Sequence, residues 1–418
     1  MEGARTRHSG STYRTVSTGF TRDVNRSAIL RLIGSSAPIA RHEIARQLGL
    51  SSATVTQITR GLIEQGLIRV AERAPSRGGR PALLLELVGG AATAFGAKVA
   101  IDHLVGVRVD LEAEVLERFE CKFDAAADGA VDRLGDVLAD WLGASDGYAP
   151  LLGVGLGVPG VFDRSTQALD SPLLGWHGVH VAGQLQQRLG VPVFVDNDVN
   201  TLAVWERLYG RGTAVEDFIV VTIGRGVGLG IVVGGDIYRG FRGGAGEFGH
   251  ITVVDDGPPC SCGKRGCLEA VIGDPALIAE ARAAGVLPRR HGIARLDGLA
   301  KSGNEGALAV YAHAGRALGR AVSNLVNVLA PELVLLSGEG TRAWEALAPA
   351  FERELRAHLF PTFADVVVEV EPWDDGKWAI GAASLVLRAT FTAPLDGEQH
   401  DRVRARIEAG ATAAEVVA

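Results

Sequence analysis

The chain is poor in cysteine and has no long apolar run, and each shortage closes off a class of protein. No stretch of its 418 residues approaches the about 18 unbroken apolar residues of a membrane helix, and the N-terminus, MEGARTRHSGSTYRTVSTGF, lacks the apolar segment of a secretory signal. A cytoplasmic protein with no membrane partner is the expectation. Four cysteines, three of them crowded between Cys260 and Cys267, do not make a disulfide framework spread along a secreted chain. They point to a metal instead. Positive charge is also short: the net charge of −7, taken alone, argues against a nucleic-acid partner. Residues 1–85, however, hold 13 Arg against five acids (Glu2, Asp23, Glu43, Glu64, Glu72), a balance of +8 that leaves −15 for the remainder. A basic block on an acidic body suggests a nucleic-acid module joined to a small-molecule-binding domain, because only the basic part gains by releasing phosphate counterions. The length implies two or three domains.

Residues 1–22 offer almost nothing to bury and read as a disordered tail. A winged helix-turn-helix is expected over 23–88. Ile29, Leu32 and Ile33 recur at helical spacing, and a second helix, 41–48, places Ile44, Ala45 and Leu48 on one side. Gly49 suits a left-handed turn, after which Ser51 or Ser52 caps a third helix with Val55, Ile58 and Leu62 inward. Its outward residues, Ser52, Thr54, Thr56, Gln57 and Arg60, have the polar reach that base edges and phosphates require. Leu67, Ile68 and Val70 start a short strand, and Leu83, Leu85 and Leu87 form its partner. The loop between them carries Arg77 and Arg80 among glycines, either a minor-groove contact or a plain solvated hairpin tip.

From residue 94 onward, glycine-rich turns alternate with apolar strands and helical stretches, the pattern of an α/β fold with its ligand crevice beyond the carboxyl ends of the strands. The expected lobes are 94–214 and 215–392, the last helix returning to the first lobe, with a polar then Ala-rich tail, 396–418, of no assigned role. Three strands run into Gly157–Gly160, into the stretch Asp196–Asn200 and into Gly224–Gly230. His250, Cys260, Cys262 and Cys267 make a closed tetrahedral Zn²⁺ set with no open position for water, hence a structural ion. Cys121 stands apart as an ordinary thiol.

With Gly157–Gly160, the Asn197-Asp198 pair, Glu247–His250 and the cysteine knuckle ending at Glu269 in this order, residues 94 to about 392 resemble the ROK family of sugar kinases and repressors, and the N-terminal winged helix matches its repressor branch. The resemblance implies a two-lobed, actin-like (ribonuclease-H-like) fold closing on a sugar. It also makes Asn197, Asp198, Glu247, His250 and Glu269 the sugar contacts, with His250 bridging zinc and sugar. Asp198 taken singly also reads as a helix-capping Asp; the five together do not. In the family's kinases Asp198 would be the general base, but their first hairpin carries an Asp-x-Gly-x-Thr-type phosphate loop. Here Lys98 stands in place of that Asp, with Ala100 and Ile101 in place of glycines. Arg225 replaces a Thr in the second phosphate loop, and Leu336–Gly340 keeps its glycines. The implied protein is a sugar-responsive transcriptional regulator, a repressor of carbohydrate metabolism, that is no longer an enzyme. An active, glucokinase-like kinase that also binds DNA is the alternative. Its expected partners are operator DNA with an inverted repeat, a monosaccharide or sugar-phosphate effector, and a second copy in a homodimer or homotetramer.

Overall fold

The computed structural model describes residues 18–73, 83–144, 147–391, 402–403 and 405–407. The N-terminal unit consists of α1 (Thr18–Ser36), β1 (Ile39–Ala40), α2 (Arg41–Leu48), α3 (Ser52–Glu64), β2 (Ile68–Arg73) and β3 (Leu83–Leu87). Gly49 ends α2 at φ 63°, in the left-handed region where a side chain is disfavoured. Ser51 caps α3 by accepting from Thr54 N at 3.1 Å. Val55, Ile58 and Leu62 turn inward onto Ile29, Ile33 and Ile44, and β1–β3–β2 close that core as a small antiparallel sheet. The first helix begins at Thr18, not after residue 22: once a helix is nucleated, each added residue gains a hydrogen bond at little cost. Residues 1–17 and the loop with Arg77 and Arg80 lie outside the described residues.

Two five-stranded sheets of like topology follow. The first is built from β4 (Thr93–Val99), β5 (His103–Asp110), β6 (Val115–Lys122), β7 (Leu151–Val158) and, beyond a small sheet of β8 (Val161–Asp163), β9 (Ala168–Ser171) and β10 (Trp176–Val179), β11 (Val193–Asn197). Its order is β11-β7-β4-β5-β6. Helices α4 (Ala130–Gly143) and α5 (Val181–Leu189) cover one face, and α6 (Asp198–Leu208) leads out. The second sheet combines β12 (Phe218–Ile223), β13 (Val227–Val233), β14 (Asp236–Ile237), β15 (Leu333–Ser337) and β16 (Val367–Val370) in the order β14-β13-β12-β15-β16. Against it pack α7 (Glu269–Ile272), α8 (Asp274–Ala283), α9 (Ile293–Lys301), α10 (Glu305–Leu329) and α11 (Trp344–His358). The last helix, α12 (Asp375–Phe391), crosses back to β4 and β7. It lies so close that a Cβ on Gly96 would sit 2.1 Å from Ala379 O and one on Gly155 1.8 Å from Ala382 O.

One apolar cluster joins the N-terminal unit to the first sheet. Ile29, Leu30, Ile33 and Leu87 share it with Val107, Val109, Leu111, Val386 and Leu387. Each such side chain contributes about 1.5–3 kcal/mol when withdrawn from water, so the head is fastened to the body rather than tethered. The tail takes part, contrary to its unassigned reading. Val403 and Ile407 are buried in this cluster, and Arg406 Nε donates to Leu151 O at 2.6 Å. Among the described residues no helix is long and apolar enough to cross a membrane.

Candidate functional site

The loops beyond the strands converge on Val227, the first residue of β13. Its N–H donates to Glu269 Oε2 at 3.1 Å, while Gly249 packs on its carbonyl so closely that a Cβ there would lie 2.3 Å from Val227 O. The next residue, Gly228, leaves room for Val199, whose Cγ2 would be 2.5 Å from a Cβ at that position. Val199, the residue after Asp198, and the segments that carry His250 and Glu269 therefore meet at the start of β13.

Asn197, rather than Asp198, caps α6. Its Oδ1 accepts from Val199 N at 2.9 Å and Asn200 N at 3.3 Å, and its Nδ2 donates to Gly160 O at 3.0 Å. One N–H of the amide remains for a ligand. Asp198 opens the helix as a half-buried carboxylate. Loss of solvent raises its pKa above the ordinary value, and the charge of Lys98 is the largest influence in the other direction. Glu247 is exposed, with Oε2 3.8 Å from His250 Nε2, while His250 Nδ1 lies 3.5 Å from Cys260 Sγ. The two ring nitrogens thus face different groups, a carboxylate at the crevice and a thiol behind it.

Behind His250, the ligand atoms of His250, Cys260, Cys262 and Cys267 all lie within 4.8 Å of one another, a cluster able to hold a metal ion. Cys262 Sγ and Cys267 Sγ are 3.7 Å apart. Burial, together with the neighbouring thiols, pushes the Cys267 thiol up to about 12, whereas a backbone hydrogen bond from Lys264 lowers that of Cys262. Ser261 Oγ reaches Glu269 Oε1 at 3.5 Å, so this loop also steadies the crevice glutamate. Cys121 stays separate and half-buried, its pKa raised by burial.

The first hairpin is filled. Lys98, 8% exposed, donates from Nζ to Asp375 Oδ1 at 2.7 Å and lies 4.5 Å from the centroid of the Trp378 ring. His103 bonds Asp102 through Nδ1 at 2.8 Å and approaches Asp375 with Nε2 at 3.7 Å. Ala100 and Ile101 are half-buried beside them. By contrast Arg225 and Gly226 of the second hairpin are exposed.

Sequence reasoning missed the charged pairs that span the lobes. Arg239 grips Asp196 at 2.8 Å through Nε and 2.5 Å through Nη2, with the buried Asp196 next to Asn197 and Arg239 half-buried. Arg388 Nη2 meets Asp236 Oδ1 at 2.7 Å, and buried Glu206 faces Glu371 where the chain crosses between lobes. Partners 43 to 165 positions apart leave no local pattern to read.

On the presumed nucleic-acid face, Ser52, Thr56, Gln57 and Arg60 are exposed and Thr54 is half-buried. Thr56 Oγ1 donates to Ser52 O at 2.7 Å, and Arg60 Nε pairs with Glu64 at 2.8 Å in an exposed ion pair. Thr59, buried under the same helix, accepts from Arg41 Nε at 2.8 Å and so fixes α3 to α2.

Comparison with known proteins agrees with this layout. The ROK family model matches residues 96–389, and the MarR family model matches residues 24–74. The chain is 30% identical over 383 residues to the DNA-binding transcriptional dual regulator NagC of Escherichia coli, covering 88% of this chain and 93% of that one. It is 28% identical over 373 residues to the xylose repressor of Bacillus subtilis, covering 88% and 96%. Among solved structures it resembles a ROK family transcriptional regulator, homologous to the Escherichia coli MLC protein, at 25% identity and TM-score 0.80, covering 93% of this chain and all of that one. A ROK glucokinase from Streptomyces griseus, solved with glucose and AMPPNP, matches at 27% identity and TM-score 0.61, covering 70% and 98%. The chain belongs to the ROK family, with a MarR-type winged helix at its N-terminus.

Proposed function

We propose that this protein is a sugar-responsive, DNA-binding transcriptional regulator, a repressor of carbohydrate genes, whose kinase-like crevice senses a sugar without phosphorylating it. The observation that carries the reading is the apolar cluster shared by the winged helix and the first sheet, because it makes the DNA-reading head move with one lobe of a two-lobed crevice. The relatives named as repressors support the sign of the response.

The sugar would meet Asn197 and Asp198 from one lobe and Glu247, His250 and Glu269 from the other. Carboxylates accept two hydroxyl protons each, and the imidazole and amide complete a set suited to a polyol. Zinc is the ion that suits the cluster behind it. A tetrahedron with Zn–S about 2.3 Å and Zn–N about 2.1 Å has S–S edges near 3.8 Å and S–N edges near 3.6 Å, and 3.7 and 3.5 Å are found. His250, Cys260, Cys262 and Cys267 would hold it, and its contribution would be to fix the ring of His250. A ligand that prefers the closed lobes shifts the population toward them. The Asp236–Arg388 bridge ties the second lobe to α12, against which α1 packs, so closure is felt at the head. Ser52, Thr54, Thr56, Gln57 and Arg60 would enter the major groove, with Arg77 and Arg80 at the wing. A two-fold dimer would read an inverted repeat with half-sites about 10 bp apart or a multiple of that.

Filling of the first hairpin by Lys98, Asp375 and His103 supports loss of kinase activity, since phosphoryl transfer depends on a grip on the nucleotide. Asp198 and the open second hairpin favour the second reading, a working kinase. Fluorescence anisotropy with DNA from the protein's own upstream region separates the two. The expected result is binding that Arg60→Ala weakens and that glucose, mannose, xylose or N-acetylglucosamine reverses. Sugar-dependent ATP consumption with no effect on DNA would favour the kinase.

A further inference from the structure

We propose that Lys98 is a positioning residue for the sugar crevice, its ammonium held by Asp375 as the fixed countercharge of the Asp198 carboxylate. The assignment rests on the reading of the crevice as a sugar site. Lys98 on β4 is the register partner of Gly157 on β7, and partners in adjacent strands project to the same face of a sheet. On that face a Cβ at Gly157 would meet Thr201 Oγ1 at 3.0 Å and the Asp198 Cα at 3.5 Å, so the bare glycine opens a lane from Lys98 to the first turn of α6. Along its other flank α12 supplies Asp375 Oδ1 at 2.7 Å and the Trp378 ring at 4.5 Å.

A cation this buried must be paired, and three ammonium protons exceed what one carboxylate oxygen takes up. The other cations nearby are each engaged by a different acid. His103, from β5, is held by Asp102 at 2.8 Å; Lys377, from α12, turns to Glu371 at 3.3 Å; and Arg239 is engaged by Asp196. Of the charges around Asp198, that of Lys98 is the one that opposes its loss of solvent. An ionised carboxylate accepts from two sugar hydroxyls with charge-assisted strength, whereas a neutral acid gives up part of that capacity. Lys98 thus acts through Asp198 and does not touch the sugar.

The test is calorimetric titration of the full-length protein with whichever of glucose, mannose, xylose or N-acetylglucosamine binds the wild type most tightly. The expected result is a loss of roughly tenfold or more in affinity for Lys98→Met, with no further loss when Lys98→Met is added to Asp198→Asn. Asp375→Asn, which leaves the lysine in place but untethered, should show a smaller loss in the same direction, and it serves if Lys98→Met does not fold. Wild-type affinity in Lys98→Met, or the same factor lost with and without Asp198→Asn, would overturn the assignment while leaving the sugar reading intact. Failure of all four sugars to bind the wild type would overturn both.

Discussion

The first hairpin of each lobe holds the same place in its sheet, β4–β5 in one and β12–β13 in the other, yet the two have opposite contents. The first turn is packed with charge, Lys98 on Asp375 and His103 between Asp102 and Asp375. The second is open, with Arg225 and Gly226 exposed and a backbone N–H of Val227 given to Glu269. A shared fold therefore does not imply a shared task. Glycines survive around the second hairpin for a reason of their own: a Cβ on Gly228 would lie 2.5 Å from Val199, and one on Gly338 2.4 Å from Ile223 O. Packing demands them whether or not a nucleotide binds, so their presence alone is poor support for a kinase.

Removing the metal loop should break the contrast most strongly. Cys260→Ser is expected to lower sugar affinity by roughly 10- to 100-fold, because His250 and Glu269 lose their support. Hydrogen exchange should accelerate at residues 224–230 and stay unchanged at 98–103; metal analysis and exchange mass spectrometry check both. Next, Lys98→Ala should cost about 2 kcal/mol by breaking the ion pair of a buried lysine with the partly exposed Asp375, against less than about 0.5 kcal/mol for exposed Arg225→Ala. Urea denaturation midpoints measure the difference. An effect confined to one pH window belongs to the seam between lobes. Burial and the facing Glu371 push the Glu206 carboxyl up to about 8. The folded state then holds a proton that the unfolded state releases near pH 4.5, so the contribution is complete below about 4.5 and is lost as pH rises through about 8. Glu206→Gln should therefore gain on the wild type between these pH values, as melting midpoints across the range would show.

Local signals carried much of the fold. Ile44, Ala45 and Leu48 followed by Gly49 mark the second helix at 41–48, where the structure has it, and the run 218–223 is a strand to the residue. The cysteine knuckle was legible because its donors are close in sequence, and the structure gathers their ligand atoms within 4.8 Å of one another. What spacing alone leaves dark is long-range. Nothing near Lys98 announces Asp375, and nothing near Asp196 announces Arg239. The tail carries a signal of its own, Val403 and Ile407 four apart on one helical face. Asn197 shows a subtler limit: the position adjoining Asp198 takes the cap because its Oδ1 reaches two amides, a matter of backbone angle that residue type does not reveal.

The central claim, a crevice that binds a sugar beside a filled phosphate hairpin, is tested most directly by titrating the sugar with and without ATP and magnesium while following ADP. The expected result is the same affinity in both and no ADP above the sugar-free background. Steady ADP release that stops in Asp198→Asn would contradict it.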